Sequence, residues 1–291
     1  IRSRVSQRGQ RAAPRGIALP EIGARLRALT EPKRRAAALL GEPVPARPPG
    51  FCVGCPERPV FAAMKLAERS TGSFHVSADI GCHTFSTLRP LNIGPTILGY
   101  GLGLASNSAV QPLSGRRSVT VMGDGGFWHN GLTTGVANAV FNRDDGVLLI
   151  LKNGYSSATG TQELPSSPRH SAHKASGMSI EGALRGVGVR WIRNVDSYKV
   201  ARMRRTLTAA MNSKDQGLKV IVADGECQLE RQRKLRPQVA AALAKGERVV
   251  RVKYGVDEDT CTGDHSCIRL SGCPTLTLKD NPDPLRRDPV A

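Results

Sequence analysis

The sequence predicts an α/β fold, a doubly wound parallel sheet, and two observations support this prediction. Short apolar runs recur from residue 74 onward, and stretches with the spacing of amphipathic helices separate them. Buried strands that alternate with helices are typical of a parallel sheet covered on both faces. The predicted strands are FHVSA (74–78), SVTVMG (118–123), VLLILK (147–152), RWIRNV (190–195) and LKVIVAD (218–224). The predicted helices between them are Gly131–Asn142, Ser179–Val187 and Ser197–Asn212.

The length and composition predict a globular protein with three regions. Of the 291 residues, 40% are hydrophobic and 23% are charged, which excludes wholesale disorder. Residues 1–47 are predicted to form a basic lead with a helix over Pro20–Leu40, followed by the proline-rich linker EPVPARPPG. Residues 48–249 form the α/β domain, which ends in a basic connection, ERQRKLRPQ, and a helix to Lys245. Residues 250–291 form a cysteine-bearing tail, and the absence of an initial Met suggests a piece of a longer polypeptide.

The formal net charge is +18, and the basic excess is concentrated in two stretches. Residues 1–50 carry 11 basic and 3 acidic side chains, and residues 190–253 carry 16 and 6. Such surfaces attract polyanions, and an acidic partner protein is favoured here. Nucleic acid is disfavoured because aromatic residues make up only 4% and none lies among the arginines. No apolar run approaches the ~20 residues of a membrane span, and the arginine-rich start has no signal segment, so we expect a cytoplasmic protein.

The strongest local motif is SVTVMGDGGFWHNG at 118–131, in which an apolar strand runs directly into Gly123-Asp124-Gly125-Gly126 and then a helix. Glycines at such a junction let the backbone approach an anion, and the helix N-terminus favours negative charge, so we expect a phosphate group there. The next strand delivers Asn153 at its carboxyl end. A carboxylate and an amide oxygen on neighbouring strand ends would form a Mg²⁺ site beside a diphosphate. The alternative interpretation of the glycines is a tight turn without a ligand.

The seven cysteines fall into two groups. Four of them lie in the α/β region and offer thiolates to one site: Cys52, Cys55, Cys82 and Cys227. From spacing alone this group fits a 4Fe-4S cluster, a structural Zn²⁺ or no ligand at all. The tail carries a C-x5-C-x5-C-P pattern: Cys261, Cys267 and Cys273.

Together these motifs resemble the thiamine-diphosphate half of the 2-oxoacid:ferredoxin oxidoreductases, most closely the indolepyruvate type. The resemblance rests on GDGGFWHNG and LKNGYSSATG, with RPPGFCVGCPERPVF, SADIGCHTF and DGECQLE, and covers residues 48–235. It implies a thiamine-diphosphate-binding fold. The glycines and Asp124 would face the diphosphate, and Asp124, Asn153 and the carbonyl of Tyr155 would hold Mg²⁺. Two departures from the family pattern are Val53, where Pro is frequent, and His83, where an aromatic residue is frequent.

The same resemblance assigns the four cysteines of the α/β region to a proximal 4Fe-4S cluster and gives His129 a catalytic role. The tail pattern resembles the first half of a two-cluster ferredoxin module, so Cys261, Cys267 and Cys273 are candidate cluster ligands, although the spacing departs from the usual run. The alternatives are a surface histidine at His129 and reduced, unliganded cysteines in the tail.

The resemblance implies oxidative decarboxylation of 2-oxo acids, in particular arylpyruvates such as indolepyruvate, to acyl-CoA, with electrons passed through 4Fe-4S clusters to ferredoxin. The implied partners are the 2-oxo acid, coenzyme A, ferredoxin, a pyrimidine-binding domain or subunit and a gamma-type subunit, within an oligomer. Catalysis is expected only with the pyrimidine-binding domain present. Two other functions stay open: a non-oxidative thiamine-diphosphate decarboxylase and a non-catalytic basic zinc-binding module.

Overall fold

The structure is a computed structural model of the chain that describes residues 49–168, 177–252 and 254–281, together with residue 288 and helical residues at 30–32, 34, 35 and 37–39. The chain divides into two compact units, Ile1–Pro49 and Gly50–Ala291. The described helical residues of the first unit lie inside the predicted helix over Pro20–Leu40, whereas residues 42–48 of the predicted linker lie outside the described residues. The site lies entirely in the second unit.

A six-stranded sheet forms the centre of the second unit, and all of its neighbouring strands are parallel, as predicted. Its order is β2-β1-β3-β4-β8-β7. Its strands are β1 (Val76–Ala78), β2 (Thr96–Ile97), β3 (Val119–Gly123), β4 (Val147–Lys152), β7 (Trp191–Asp196) and β8 (Lys219–Asp224). A small antiparallel pair, β5 (Tyr155–Ser156) and β6 (Gln162–Glu163), follows β4.

Helices connect these strands, and one of them has an unusual middle section. The helix after β3, α3, runs through Asp124–Gly126, a π-helical segment over Phe127–Ala137, and Asn138–Phe141. The others are α1 (Glu57–Thr71), α2 (Gly103–Ser114), α4 (Ile180–Gly186), α5 (Val200–Met211), α6 (Gln228–Ala244) and α7 (Ser266–Ser271). A 3-10 turn covers Cys82–Thr87. None of the described helices is long and apolar enough to span a bilayer.

The strand side chains alternate between two apolar layers, one on each face of the sheet. On β4, Leu149 and Leu151 belong to one layer, whereas Leu148 and Ile150 belong to the other. Helices α1 and α5 cover the first layer, and α2, α3 and α4 cover the second. Because each fully buried aliphatic side chain contributes roughly 1.5–3 kcal/mol, a strand buried on both faces is mostly apolar, and here Ser77 and Thr120 are buried exceptions. This arrangement is the doubly wound fold that the continuous apolar runs predict.

Two parts of the helical prediction are corrected. Helices α1 and α2 lie in stretches for which no helix was predicted, although α1 buries a clear apolar face that includes Val60, Phe61 and Met64. The basic connection at 230–238 is helical and forms part of α6, which contains Pro237 and no buried residue. Helix formers such as Gln, Arg, Leu and Ala favour this helix by propensity, without the apolar stripe on which a pattern-based prediction depends.

The tail is anchored to the α/β domain through α7, which packs against α1. The buried side chain of Arg58 donates from Nη1 to the carbonyl of Ser271 at 3.3 Å, and Lys65 Nζ donates to the carbonyl of Arg269 at 3.3 Å. Gly272, in the left-handed region at φ 57°, ends α7 against Leu91. These contacts hold α7 against α1, and Cys273, just after α7, lies near Arg58.

Candidate cofactor and metal sites

The order of the strands reverses between β1 and β3, because the chain passes from β1 to β2 on one side and then crosses to β3 on the other. In doubly wound sheets, ligands bind outside the carboxyl ends of the strands at such a switch point. Three polar residues follow strands at this edge: Asp79 after β1, Asp124 after β3 and Asn153 after β4. The topology therefore brings together the two residues singled out by the sequence, Asp124 and Asn153, and adds Asp79.

Asp124 joins the ends of β3 and β4. Its Oδ2 accepts from the backbone N–H groups of Asn153 at 2.9 Å and Gly154 at 2.7 Å, and its Oδ1 accepts from the N–H of Gly125 at 2.9 Å. The side chain is buried, and this burial raises the pKa of Asp124 to about 7 against the opposing effect of the three N–H donors. None of these donors is a cation, so the carboxylate is a buried anionic group that a metal ion would stabilise.

The side chain of Asn153 has both ends fixed. Its Oδ1 accepts from the backbone N–H of Tyr155 at 3.1 Å and from the hydroxyl of Ser157 at 2.8 Å. Its Nδ2 donates to Glu57 Oε1 at 3.4 Å. The carbonyl of Tyr155, the third predicted Mg²⁺ ligand, lies 3.3 Å from Ser157 Oγ. The predicted metal ligands thus share one hydrogen-bonding neighbourhood.

The GDGG segment packs so closely that side chains are excluded at two of its glycines. A Cβ atom at Gly125 would overlap the Tyr100 hydroxyl, and one at Gly126 would overlap the carboxylate of Asp79. A Cβ atom at Gly123, in contrast, would meet only His83 at 3.8 Å, an ordinary contact. The Tyr100 side chain therefore requires glycine at position 125. Glycine also lets the backbone come close to a ligand, as the predicted diphosphate site requires.

Asp79 and His83 form a fully buried pair that the sequence reasoning did not identify as part of the site. Asp79 Oδ2 accepts from the N–H of Gly101 at 2.8 Å, and Asp79 Oδ1 lies 2.8 Å from His83 Nε2. Burial lowers the pKa of His83, but the hydrogen bond and charge of Asp79 outweigh it and raise the pKa overall. Asp79 follows a predicted strand just as Asp124 does, and this position was the available signal. His83, which stands where the family frequently has an aromatic residue, therefore holds Asp79 in place at the switch point.

A second buried carboxylate, Glu57, interacts with two cysteines of the α/β region, Cys55 and Cys82. Burial is the largest cause that raises the pKa of Cys82 to about 12, and Glu57, Cys227 and Cys52 contribute to the same increase in that order. Burial also raises the pKa of Cys55, with added contributions from Glu57, Cys82 and Cys52. The Cys82 thiol is thus within electrostatic range of Cys52, Cys55 and Cys227. In the described part of the chain, however, no three Cys, His, Asp or Glu side chains converge on the position of a single metal ion.

Glu57 links this group of cysteines to Asn153, and sequence reasoning missed it. The side chain is buried, its Oε1 faces Asn153 Nδ2, and its Oε2 has no hydrogen-bond partner. Burial raises the pKa of Glu57, and the neighbouring Asp79 adds to that increase. In the sequence Glu57 follows Cys-Pro at the start of α1 and resembles an ordinary acidic residue in a first helical turn.

The remaining predicted site residues lie farther from these groups. His129 is exposed on α3, and its ring centroid lies 5.0 Å from that of Tyr100, whose hydroxyl lies 2.7 Å from Ser156 Oγ. In the tail, Cys273 lies near Arg58, whereas Cys267 lies in the first turn of α7. Cys273 therefore lies near the first turn of α1, which follows Cys55 and Pro56 in the chain.

The residues present fit the groups that the sequence implies. Asp124, Asn153 and the Tyr155 carbonyl supply hard oxygen donors of the kind Mg²⁺ prefers, and the hydrogen bonds that the Asp124 carboxylate accepts come from uncharged backbone N–H groups. The glycine segment leaves room only for backbone beside Tyr100. The thiol group offers four soft donors of the kind that 4Fe-4S clusters use.

These features define the class of domain. Residues 79–223, which begin at Asp79 and end within β8, match the family described as thiamine pyrophosphate enzyme, C-terminal TPP binding domain. Over this region the chain belongs to the thiamine-diphosphate-binding domains.

Within that class, the chain is related to the thiamine-diphosphate part of indolepyruvate ferredoxin oxidoreductase α subunits. It is 30% identical to indolepyruvate oxidoreductase subunit IorA from Pyrococcus horikoshii over 263 residues, which is 86% of this chain and 38% of that protein. It is 29% identical to IorA from Archaeoglobus fulgidus over 238 residues, 81% of this chain and 36% of that protein. The chain thus spans under two fifths of the length of these relatives.

One solved structure also shares the fold. The chain matches a 2-oxoglutarate:ferredoxin oxidoreductase from Magnetococcus marinus with a TM-score of 0.52 and 16% identity, over 62% of this chain and 65% of that chain. This likeness confirms the predicted fold class.

Proposed function

We propose that this chain is the thiamine-diphosphate-binding part of a cytoplasmic enzyme that oxidatively decarboxylates 2-oxo acids, in particular arylpyruvates such as indolepyruvate, to acyl-CoA. The observation that carries the proposal is the junction of β3 and β4. There the buried Asp124 accepts the N–H groups of Asn153 and Gly154 beside a glycine segment at the sheet switch point.

In this proposal, Asp124, Asn153 and the Tyr155 carbonyl hold Mg²⁺, and the backbone of Gly123, Gly125 and Gly126 faces the diphosphate. Thiamine diphosphate held there would supply a nucleophilic carbon and an electron sink for decarboxylation. The chain's own residues bind and orient. The N–H donors of Asn153 and Gly154 hold the Asp124 carboxylate, and the hydrogen bond between the hydroxyls of Tyr100 and Ser156 fixes the Tyr100 side chain beside Gly125. We assign the catalytic role to His129, whose ring lies next to that of Tyr100.

The four thiols are proposed to hold a 4Fe-4S cluster next to the cofactor. Their mutual electrostatic effects and the position of Glu57 between them and Asn153 support this assignment. The tail cysteines Cys261, Cys267 and Cys273 are proposed to belong to a ferredoxin-like module.

Electrons from the reaction are proposed to leave through these clusters to ferredoxin, and coenzyme A to take the acyl group. The family relatives named IorA are much longer than this chain. A pyrimidine-binding domain or subunit and a gamma-type subunit are therefore proposed as partners, and catalysis requires the first of them.

Calorimetric titration of thiamine diphosphate in the presence of Mg²⁺ tests the proposal directly. We expect the wild-type chain to bind and Asp124→Ala to lose binding, because Asp124 is the only carboxylate among the proposed metal ligands. Asp144→Ala, a change at a half-buried carboxylate outside the site, is the matched control and should bind like the wild type. Equal affinity in all three proteins would contradict the assignment. If the chain purified under anaerobic conditions binds thiamine diphosphate but contains no iron, a non-oxidative decarboxylase would be favoured instead.

A further inference from the structure

The Ser157 hydroxyl lies between the proposed metal ligands and one of the proposed cluster ligands. Its Oγ is 2.8 Å from Asn153 Oδ1, 3.3 Å from the carbonyl oxygen of Tyr155 and 3.3 Å from Cys227 Sγ. A serine hydroxyl has a single proton to donate, so only one of these acceptors receives a full hydrogen bond at a time. The shortest contact, to Asn153, is the favoured one in this structure.

The three acceptors belong to two different sites. Asn153 Oδ1 and the Tyr155 carbonyl are the proposed Mg²⁺ ligands, whereas Cys227 is a proposed cluster ligand. The Asn153 amide cannot easily turn Oδ1 away, because its Nδ2 faces the buried carboxylate of Glu57 and its Oδ1 also accepts the N–H of Tyr155. Cys227 is buried at the start of α6, so water does not compete freely for its sulfur. The position of one proton therefore depends on both sites.

We propose that Ser157 couples the metal–diphosphate site to the thiolate site by moving its hydrogen bond from Asn153 to Cys227. Once Asn153 Oδ1 and the Tyr155 carbonyl are engaged by a metal ion, Cys227 Sγ is the acceptor left within reach. A hydrogen bond to a cluster thiolate stabilises the more negative, reduced state, so cofactor binding would make the cluster easier to reduce. By linkage, reduction of the cluster would strengthen cofactor binding by the same factor.

This inference rests on the proposed function and assigns Ser157 as a positioning residue. The coupling would set an order of events, because the cluster, which accepts the electrons, becomes easier to reduce only after thiamine diphosphate, the source of the electrons, has bound. No covalent change and no additional reactant is required, since only the direction of one O–H bond differs between the two states.

The first experiment measures the midpoint potential of the iron–sulfur chromophore in the anaerobically reconstituted chain, with and without thiamine diphosphate and Mg²⁺. We expect an upward shift on cofactor addition in the wild type, a smaller shift in Ser157→Ala, and recovery of the full shift in Ser157→Thr, which keeps the hydroxyl. Ser70→Ala, which removes a hydroxyl bonded only to the carbonyl of Ala67 on α1, is the control and should behave like the wild type. The same shift in Ser157→Ala as in the wild type would overturn the proposal.

The second experiment needs no cluster and uses cofactor affinity in the iron-free chain. In this proposal the Ser157 hydroxyl turns toward Cys227 Sγ when Mg²⁺ binds. Cys227→Ala removes that acceptor and should weaken binding of thiamine diphosphate with Mg²⁺ by about fivefold. Cys227→Ser keeps an acceptor and should have little effect. In the Ser157→Ala background, Cys227→Ala should also have little effect, because no proton has to move.

The outcomes separate this inference from the function on which it rests. Additive effects of Ser157→Ala and Cys227→Ala, with cofactor binding intact, would overturn the coupling and leave the proposed function standing. Absence of cofactor binding in the wild-type chain would overturn the proposed function and the coupling together.

Discussion

A methyl group added at Gly126 would force the buried carboxylate of Asp79 out of its hydrogen bonds. The Cβ of an alanine there would overlap Asp79 Oδ2 and lie 3.2 Å from the backbone nitrogen of Gly101. Gly126 has an ordinary helical backbone, so the substitution introduces no backbone strain of its own. The whole effect therefore comes from displacement of Asp79, which bonds Gly101 and His83 at 2.8 Å each.

The size of the effect follows from these contacts. Overpacking of a tight core site costs about 1–3 kcal/mol, and a hydrogen bond to a charged group is worth about 1.5–3 kcal/mol. Relaxation of the neighbouring chain recovers part of the sum, so we expect Gly126→Ala to lower the free energy of unfolding by about 3 kcal/mol. For a domain of this size, such a loss lowers the Tm by about 6–12 °C.

Thermal unfolding of the cofactor-free chain, followed by circular dichroism, measures this loss without any assumption about function. Gly123→Ala is the matched control in the same motif, because φ is −73° and the new Cβ would meet only His83 at 3.8 Å. We expect the control to unfold close to the wild-type temperature. Equal Tm values for the two variants would refute the argument that Gly126 is required by Asp79.

Three further predictions concern the thiols, the tail and the charge. Cys82→Ser should lose the iron–sulfur absorption of the proximal site whereas Cys267→Ser should retain it, and the reverse result in anaerobic iron assays would contradict the proximal assignment. Arg58→Met removes the hydrogen-bond donor to the Ser271 carbonyl and should accelerate hydrogen exchange of the backbone amides over 257–281. Arg69→Met, a change at an exposed arginine of the same helix, is the control. Unchanged exchange in Arg58→Met would show that Arg58 does not anchor the tail. Ferredoxin reduction by the complete enzyme should slow with rising salt, since the basic excess acts over ~10 Å at 0.1 M; a rate independent of salt would contradict steering by charge.

The sequence predicts the sheet well, and it predicts that Asp124 and Asn153 meet at one edge, because both features depend on where strands end. All five predicted strands are present, whereas the two-residue strands β2, β5 and β6 were missed, since two residues carry no pattern. Asp124 and Asn153 come together because adjacent parallel strands end at one edge. Their roles as ligands, like those of the cysteines, stay predictions.

The missed residues depend on contacts between distant parts of the chain. Glu57 faces Asn153 only because α1 begins beside the end of β4. Ser157 reaches Cys227 only because β8 lies next to β4 in the sheet, which brings the segments that follow the two strands together. Local spacing contains neither relationship. Helix α6 was only partly predicted for a different reason: it buries nothing, so it has no apolar periodicity to detect.

The position of β8 determines when the chain can fold during synthesis. β8 is the last strand of the sheet in the sequence, yet it lies inside the sheet, between β4 and β7. β7 therefore emerges from the ribosome before its only neighbour in the sheet, and one edge of β4 stays unpaired until residues 219–224 emerge. Such non-local parallel pairing is slow and exposes apolar strand edges in the meantime. A nascent chain stalled before residue 224 should thus be a substrate for chaperones, and polypeptides shortened to end before β8 should aggregate rather than yield a smaller stable domain.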